Sequence, residues 1–240
     1  MLDFSRRAMT PELIDTEECD FATFRDCLVD LARVNRLTLA YRPTIAFLDR
    51  LDRAGLVPRD RPLEIVDVGS GYGDMLRRIA AWSQRRGIDV CLIGVDLNPW
   101  SAKAAREATD PDLPVGWRTT SIFDYSPDSG IDLVISSLFA HHLEDAALVR
   151  FLAWMERTAS LGWFVNDLHR HELPYRAFAG ASRALRLHRF VQNDGPISIT
   201  RGFVSGDWRR LLAMAEIPTG DTKVEWWMPF RLCVSRVQVP

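Results

Sequence analysis

Two short stretches carry side chains that could move protons. FAHHLED holds His141 and His142, and FVNDLHRHEL holds Asp167, His169 and His171. A neutral imidazole can take a proton from a hydroxyl near neutral pH, and a carboxylate beside it can orient the ring. His169 is the candidate general base, Asp167 its orienting partner and His171 the close competitor. Packing or capping remains an equal reading for His141 and His142, and rim hydrogen bonding for the second group. Four clustered histidines could also gather a cation. No acidic triad stands near them in the sequence, so no metal is expected.

A third stretch is built for binding. EIVDVGSGYGD (64–74) runs from an apolar segment into Gly69, Gly71 and Gly73, with Asp67 just ahead. Glycine admits positive φ and lets ligand atoms approach the backbone. A helix starting at the turn would add free N–H groups and a partial positive charge. In IGVDLNPW, Asp96 closes the next apolar run, where a carboxylate can accept hydrogen bonds from ribose hydroxyls. A solvated helix cap is the plainer reading of Asp96. No GKS or GKT follows the glycines, which excludes a P-loop. The spacing is GxGxG, not the GxGxxG of dinucleotide sites.

The elements that must position these residues alternate. Strands are expected at 63–68, 89–97, 115–120, 131–137 and 162–168, and helices at 74–86, 99–108, 144–159 and 205–217. Apolar strands alternating with helices predict an α/β fold, a parallel sheet buried on both faces. Residues 223–238 read as two strands meeting at Pro229, the last one antiparallel. Before the sheet, 21–52 is helical, with Pro43 as a divider. Residues 1–58 are therefore taken as an N-terminal helical cap and 59–240 as the main domain. An insert at about 172–202 mixes arginines with aromatics and shows no clear strand. Tyr41, Arg42 and Phe47 on one side, and Tyr175, Phe178, Arg183, Arg186 and Phe190 on the other, are candidate walls for an acceptor. An amphipathic lid with solvated arginines is the bland alternative.

The totals exclude several classes. The 240 residues are 47% hydrophobic and 26% charged, with net charge -2, so nothing draws the chain to nucleic acid or anionic membrane. No apolar run reaches the length of a membrane span, and no signal peptide is visible. Four scattered cysteines without a CxxC pair read as reduced thiols of a cytoplasmic protein.

Taken in order, three motifs resemble those of class I S-adenosylmethionine-dependent methyltransferases, over roughly residues 60–168. EIVDVGSGYGD resembles their first motif and IGVDLNPWSAKAA their second. SIFDYSPDSGIDLVISSLFAHHLED resembles the third region. His141 and His142 are similar to the paired histidines of the ubiquinone/menaquinone-type branch. The resemblance implies a Rossmann-like, doubly wound seven-stranded sheet, mostly parallel. It implies S-adenosyl-L-methionine as cofactor, with Asp67, Gly69, Gly71 and Gly73 at the methionine end. Asp96 would hold the ribose, Leu97, Phe123 and Asp124 would surround the adenine, and Ser137 would lie beneath the sulfonium. A plain turn is the other reading of Asp124. The expected activity is O-methylation of a small aromatic or apolar acceptor, phenolic, quinol or polyketide-like, in secondary metabolism. C- or N-methylation, a nicotinamide-dependent oxidoreductase and a non-catalytic cofactor-binding protein stay open. The absence of an NPPY-type tetrapeptide speaks against nucleic-acid substrates. A homodimer is compatible with the sequence, which does not fix the assembly.

Overall fold

Ile65 and Val66 are neighbours in an extended segment, so they point to opposite faces, and both are buried. The segment must therefore be covered on both sides. In the computed structural model, which describes residues 3–127, 130–218 and 220–238, it is the centre of a seven-stranded sheet. β1 (Leu63–Val68) pairs in parallel with β2 (Val90–Asp96) and β4 (Ile131–Ser137). β3 (Val115–Thr119) extends the sheet beyond β2, and β5 (Ala159–Leu168) beyond β4. β7 (Arg231–Val237) runs antiparallel to β5, and β6 (Thr222–Trp227) closes the edge against β7. The order is β3-β2-β1-β4-β5-β7-β6. This is the Rossmann-like sheet expected from the alternating pattern, with β7 reversed.

Two apolar layers clothe it. On one face, Phe47 and Leu48 of α3 (Arg42–Arg53), Leu76 and Ile79 of α4 (Asp74–Arg86), and Ala102 and Ala105 of α5 (Pro99–Glu107) meet Ile65, Leu133 and Phe164. On the other, Leu148, Phe151 and Leu152 of α6 (Asp145–Thr158) join Trp208 and Leu211 of α9 (Ser205–Met214) over Val66, Val134 and Val165. Pro43 stands in the first turn of α3, where its missing N–H costs nothing. Phe47 stacks on Phe164 with ring centroids 4.8 Å apart. It is a core residue, not a wall of the acceptor site.

The remaining helices gather over the carboxyl ends of the strands. They are α1 (Leu13–Thr16), α2 (Phe21–Leu37), α7 (Glu172–Ala184) and α8 (Arg189–Arg201). Cys27 of α2 packs with Phe190 and Val191 of α8, which ties the N-terminal section to the insert. Asp194 of α8 accepts hydrogen bonds from Leu13 N (2.8 Å) and Ile14 N (3.0 Å), capping α1 across the chain. Below them, Asn166 Nδ2 donates to Ala40 O at 2.7 Å and fixes the loop ahead of α3 to β5.

The insert is fully helical, although its sequence contains Gly195 and Pro196 within α8. The glycine has a packing reason. A Cβ there would fall 2.0 Å from Phe178 Cε1, so the gap in side chains lets α7 and α8 approach. Among the described residues no helix is long and apolar enough to cross a membrane.

Candidate functional site

Strand order reverses between β1 and β4, and such switch points open a crevice beyond the carboxyl ends of the strands. A cavity of about 480 Å³ occupies this place. That volume is ordinary for a small-molecule site. Asp67, Gly69 and Gly71 line it from the turn after β1, and Ser137, Leu138, His141 and His142 from the end of β4. Tyr41 and Phe178 close it from the two helical sections, and His169, Phe230 and Arg231 from the β5–β7 side.

The three glycines are used differently. All have positive φ: 70° at Gly69, 50° at Gly71 and 71° at Gly73. A Cβ on Gly69 would lie 2.5 Å from Phe139, and one on Gly73 would lie 2.1 Å from Trp117. These two permit packing. At Gly71 the nearest atom is Gly69 O at 4.0 Å, and the missing side chain faces the cavity. Gly71 is the position where a ligand can touch the backbone. Its N–H donates to Asp96 Oδ2 at 2.9 Å, and Asp96 Oδ1 accepts from Asn98 N at 2.9 Å. Asp96 therefore braces the glycine turn from β2. Burial raises its pKa, opposed by these hydrogen bonds.

Asp67 is the more unusual carboxylate. It is fully buried and lines the cavity, yet its Oδ1 has no hydrogen-bond partner among the described residues. Burial, with Asp74 and Asp96 nearby, pushes its pKa well up. A buried carboxylate in this state is stabilised by any cation that enters beside it. Asp74, one helix start away, is instead engaged by the Tyr41 hydroxyl at 2.6 Å.

The histidines are distributed otherwise than their spacing suggested. Asp167 is paired with His141, not with His169. Its Oδ1 lies 2.7 Å from His141 Nδ1, and its Oδ2 accepts from the His141 backbone N–H at 3.1 Å. Asp167 stays ionised, its pKa lowered against the burial cost by His141 and by the N–H groups of His141 and Leu168. Ionised Asp167 can only accept, so His141 Nδ1 is the donor of this contact. The reason is topological. Side chains alternate along a strand, and the residue at the end of β5 points toward the turn after β4. His169 lines the cavity but takes a hydrogen bond from Trp226 Nε1 on its Nδ1 (3.3 Å). Burial, then His171 and Arg170, lower its pKa, so the ring is neutral with its proton on Nε2. His171 is exposed and caps α7 by accepting from Leu173 N at 3.0 Å. It does not line the cavity.

The expected adenine contacts lie outside this cavity. Leu97 and Asp124 are exposed, and Phe123 is covered by the Arg150 guanidinium 4.2 Å above its ring. Ser137 lines the cavity with its Oγ buried and unpartnered among the described residues.

Two residues that the sequence did not single out complete the wall. Arg231, at the start of β7, is buried with Nε and Nη1 unpartnered among the described residues, while Nη2 donates to Thr38 Oγ1 at 3.1 Å. Glu12, from the start of the chain, is buried against His141 and His142. An arginine inside the apolar run RLCV was the available signal for the first. No local signal marks the second.

Known proteins share the fold. Residues 65–162 match a family model described as a methyltransferase domain. No curated protein matches the chain. Among solved structures, the plantazolicin methyltransferase BpumL in complex with SAH shares 12% identity, covers 91% of this chain and 96% of its own, and superposes with a TM-score of 0.63. The magnesium protoporphyrin IX methyltransferase ChlM from Synechocystis PCC 6803, with bound SAH, shares 14% identity over 92% of this chain and 89% of its own, with a TM-score of 0.56. The CMeT domain of the citrinin polyketide synthase shares 16% identity over 83% of this chain and 52% of that chain, with a TM-score of 0.57.

Chemical denaturation should separate the glycines. Gly73→Ala should lose about 3 kcal/mol, from the Trp117 clash added to the positive φ. Gly71→Ala should lose only about 1 kcal/mol, the cost of φ alone. Equal losses would contradict the assignment of Gly71 to ligand approach.

Asp67 gives a pH test. The folded chain keeps it protonated at pH values where the unfolded chain, at 3.8, already ionises it. It therefore costs stability as pH rises from 3.8 through the raised folded-state value. Asp67→Asn should melt higher than the parent, by a margin that grows with pH over that window and vanishes below it. A margin independent of pH would contradict the raised pKa.

Proposed function

We propose that this chain, a class I S-adenosylmethionine-dependent methyltransferase, methylates an oxygen of a small, largely apolar acceptor that carries an anionic group. The observation that carries the reading is that two buried ionisable side chains with unpartnered polar atoms line one cavity: Asp67 beside the glycine turn and Arg231 beyond β5.

The residues present fit the cofactor. Asp67 Oδ1 is an acceptor in search of a cation, which the methionine ammonium supplies. Gly71 leaves its Cβ space open, and Ser137 Oγ offers a further polar contact. Asp96 does not line the cavity and its two oxygens accept from Gly71 N and Asn98 N; from the end of β2 it would meet ribose hydroxyls with its remaining lone pairs. When bound, S-adenosylmethionine supplies a methyl group already activated by its sulfonium.

Arg231 belongs to the acceptor. β1 and β7 are separated by β4 and β5, three strand spacings, or about 14 Å. A guanidinium cannot escape burial by losing its proton, so an arriving carboxylate or phenolate is its natural partner. An acceptor that is ionised before it binds needs no general base. His169, with its proton on Nε2, then serves as a hydrogen-bond donor that orients the acceptor oxygen. It can act as a base only if it releases Trp226. Phe178 and Phe230 supply flat apolar surface. The four free cysteines suit a reducing, cytoplasmic setting.

The test is formation of S-adenosylhomocysteine with a panel of aromatic acids, phenols and quinols. Acids should be preferred, and Arg231→Gln should raise their KM by about tenfold or more with a smaller change in kcat. For His169, Gln keeps a donor that Ala lacks. His169→Gln should retain most of kcat, and His169→Ala should raise KM. A loss of about a hundredfold in kcat in both would restore His169 as a base. Neutral acceptors preferred by the parent and indifferent to Arg231→Gln would refute the anionic class.

A further inference from the structure

Glu12, His141 and His142 each bring one ligand atom to a common point, all within 4.8 Å of one another. His141 Nε2 lies 3.8 Å from Glu12 Oε1, and His142 Nε2 lies 3.9 Å from Glu12 Oε2. These are too long for hydrogen bonds. Two metal bonds of about 2.1 Å at a tetrahedral angle place their ligand atoms about 3.4 Å apart, shorter than the 3.8 and 3.9 Å seen here, so an ion would draw the three side chains together. We propose that Glu12, His141 and His142 hold one divalent first-row transition-metal ion in the wall of the cavity.

The surroundings are those of a metal site. A ligating histidine turns one nitrogen to the ion and the other to a carboxylate, which fixes the tautomer. His141 does so with Asp167, whose Oδ1 is 2.7 Å from Nδ1. His142 does so with Asp15, 3.4 Å from its Nδ1. Glu12 Oε1 is itself held by Ser198 Oγ at 2.8 Å.

The two sides of the cluster come from distant parts of the sequence, the first turns of the chain and its middle, and the backbone is clamped to bring them together. Arg201 donates from Nε to His141 O (3.1 Å), from Nη2 to His142 O (2.9 Å) and from Nη1 to Thr10 O (3.1 Å). Arg7 repeats the clamp, donating to His141 O at 3.2 Å and to Leu143 O at 2.9 Å. Neither guanidinium approaches the ligand atoms through these bonds. They set the frame and leave the imidazoles and the carboxylate to face one another.

The donor set selects the ion. Two imidazoles and one carboxylate suit Zn²⁺, Fe²⁺ or Co²⁺ and not Mg²⁺ or Ca²⁺, which favour oxygen throughout. All three residues line the cavity, so the remaining coordination positions are offered to its occupant. An oxygen of that occupant would be held and made more acidic there. The site would stand even for a chain with another activity, because its readouts are metal content and spectrum. The competing arrangement is an ion-pair cluster, with a protonated His142 between Glu12 and Asp15.

The test uses the untagged full-length chain, stripped with a chelator and titrated with Zn²⁺ by calorimetry and with Co²⁺ by visible absorption. One ion per chain is expected, with the d–d bands of a nitrogen- and oxygen-bound cobalt ion. Glu12→Gln and His142→Gln should each weaken binding by at least about tenfold while keeping the parent's circular dichroism. Absence of binding to the parent chain overturns the site whatever the variants do. Binding that either variant leaves within a few-fold of the parent also overturns it, since the ion then lies elsewhere.

Discussion

A carboxylate with no water around it must find hydrogen-bond donors, and Asp167 organises the whole functional rim by finding them. It is fully buried at the end of β5 and accepts from the His141 ring, the His141 backbone and the Leu168 backbone. Those bonds join the turn after β4 to β5 and set the tautomer of His141. Asp167 is also the charge that does most to favour the ionised form of Arg231. Removing it would release the turn, the imidazole and the guanidinium together. A buried charge left unpaired in this way costs several kcal/mol in typical proteins, about 3–5.

The contrast with the rest of the chain is informative. Buried polar atoms are nearly always paired. Among the described residues, unpartnered buried side-chain atoms stand on Thr44, Asp67, Ser137, Trp208 and Arg231, and three of these five residues, Asp67, Ser137 and Arg231, line one cavity. Under the proposed function these three are the groups that a ligand of mixed charge would meet. The glycine turn points the same way: two of its glycines pack tightly and the third is kept clear.

Much of the fold was legible because burial on both faces writes itself into a strand. β1 and β4 and the helix α4 run as expected from their apolar runs and from the glycines that bound α4. Their order also fixed the place of the cavity. What could not be read is long-range. α8 passes through Gly195 and Pro196, residues that locally break a helix, because Phe178 of α7 fills the notch. Phe47 was expected near the acceptor but turns into the core, where Phe164 gives it a stacking partner. Asp167 stands two residues from His169 in the sequence, yet strand geometry sends it to His141. No metal was expected because Glu12, the carboxylate that faces both Nε2 atoms of His141 and His142, sits in a segment with no distinctive pattern. Long-range contacts bring it there: Asp194 at the start of α1, Ser198 on its own carboxylate and Arg201 on Thr10 O.

The central claim is that the cradle of Asp67, Gly71 and Asp96 binds an adenosyl amino acid by meeting its ammonium with an orphaned carboxylate. Calorimetric titration of S-adenosylhomocysteine into the cofactor-stripped protein, repeated in buffers of different ionisation enthalpy, tests it most directly. The account predicts saturable binding accompanied by release of a proton from Asp67, with the release absent in Asp67→Asn. No binding heat in any buffer, or binding with the same proton balance in both proteins, would contradict it.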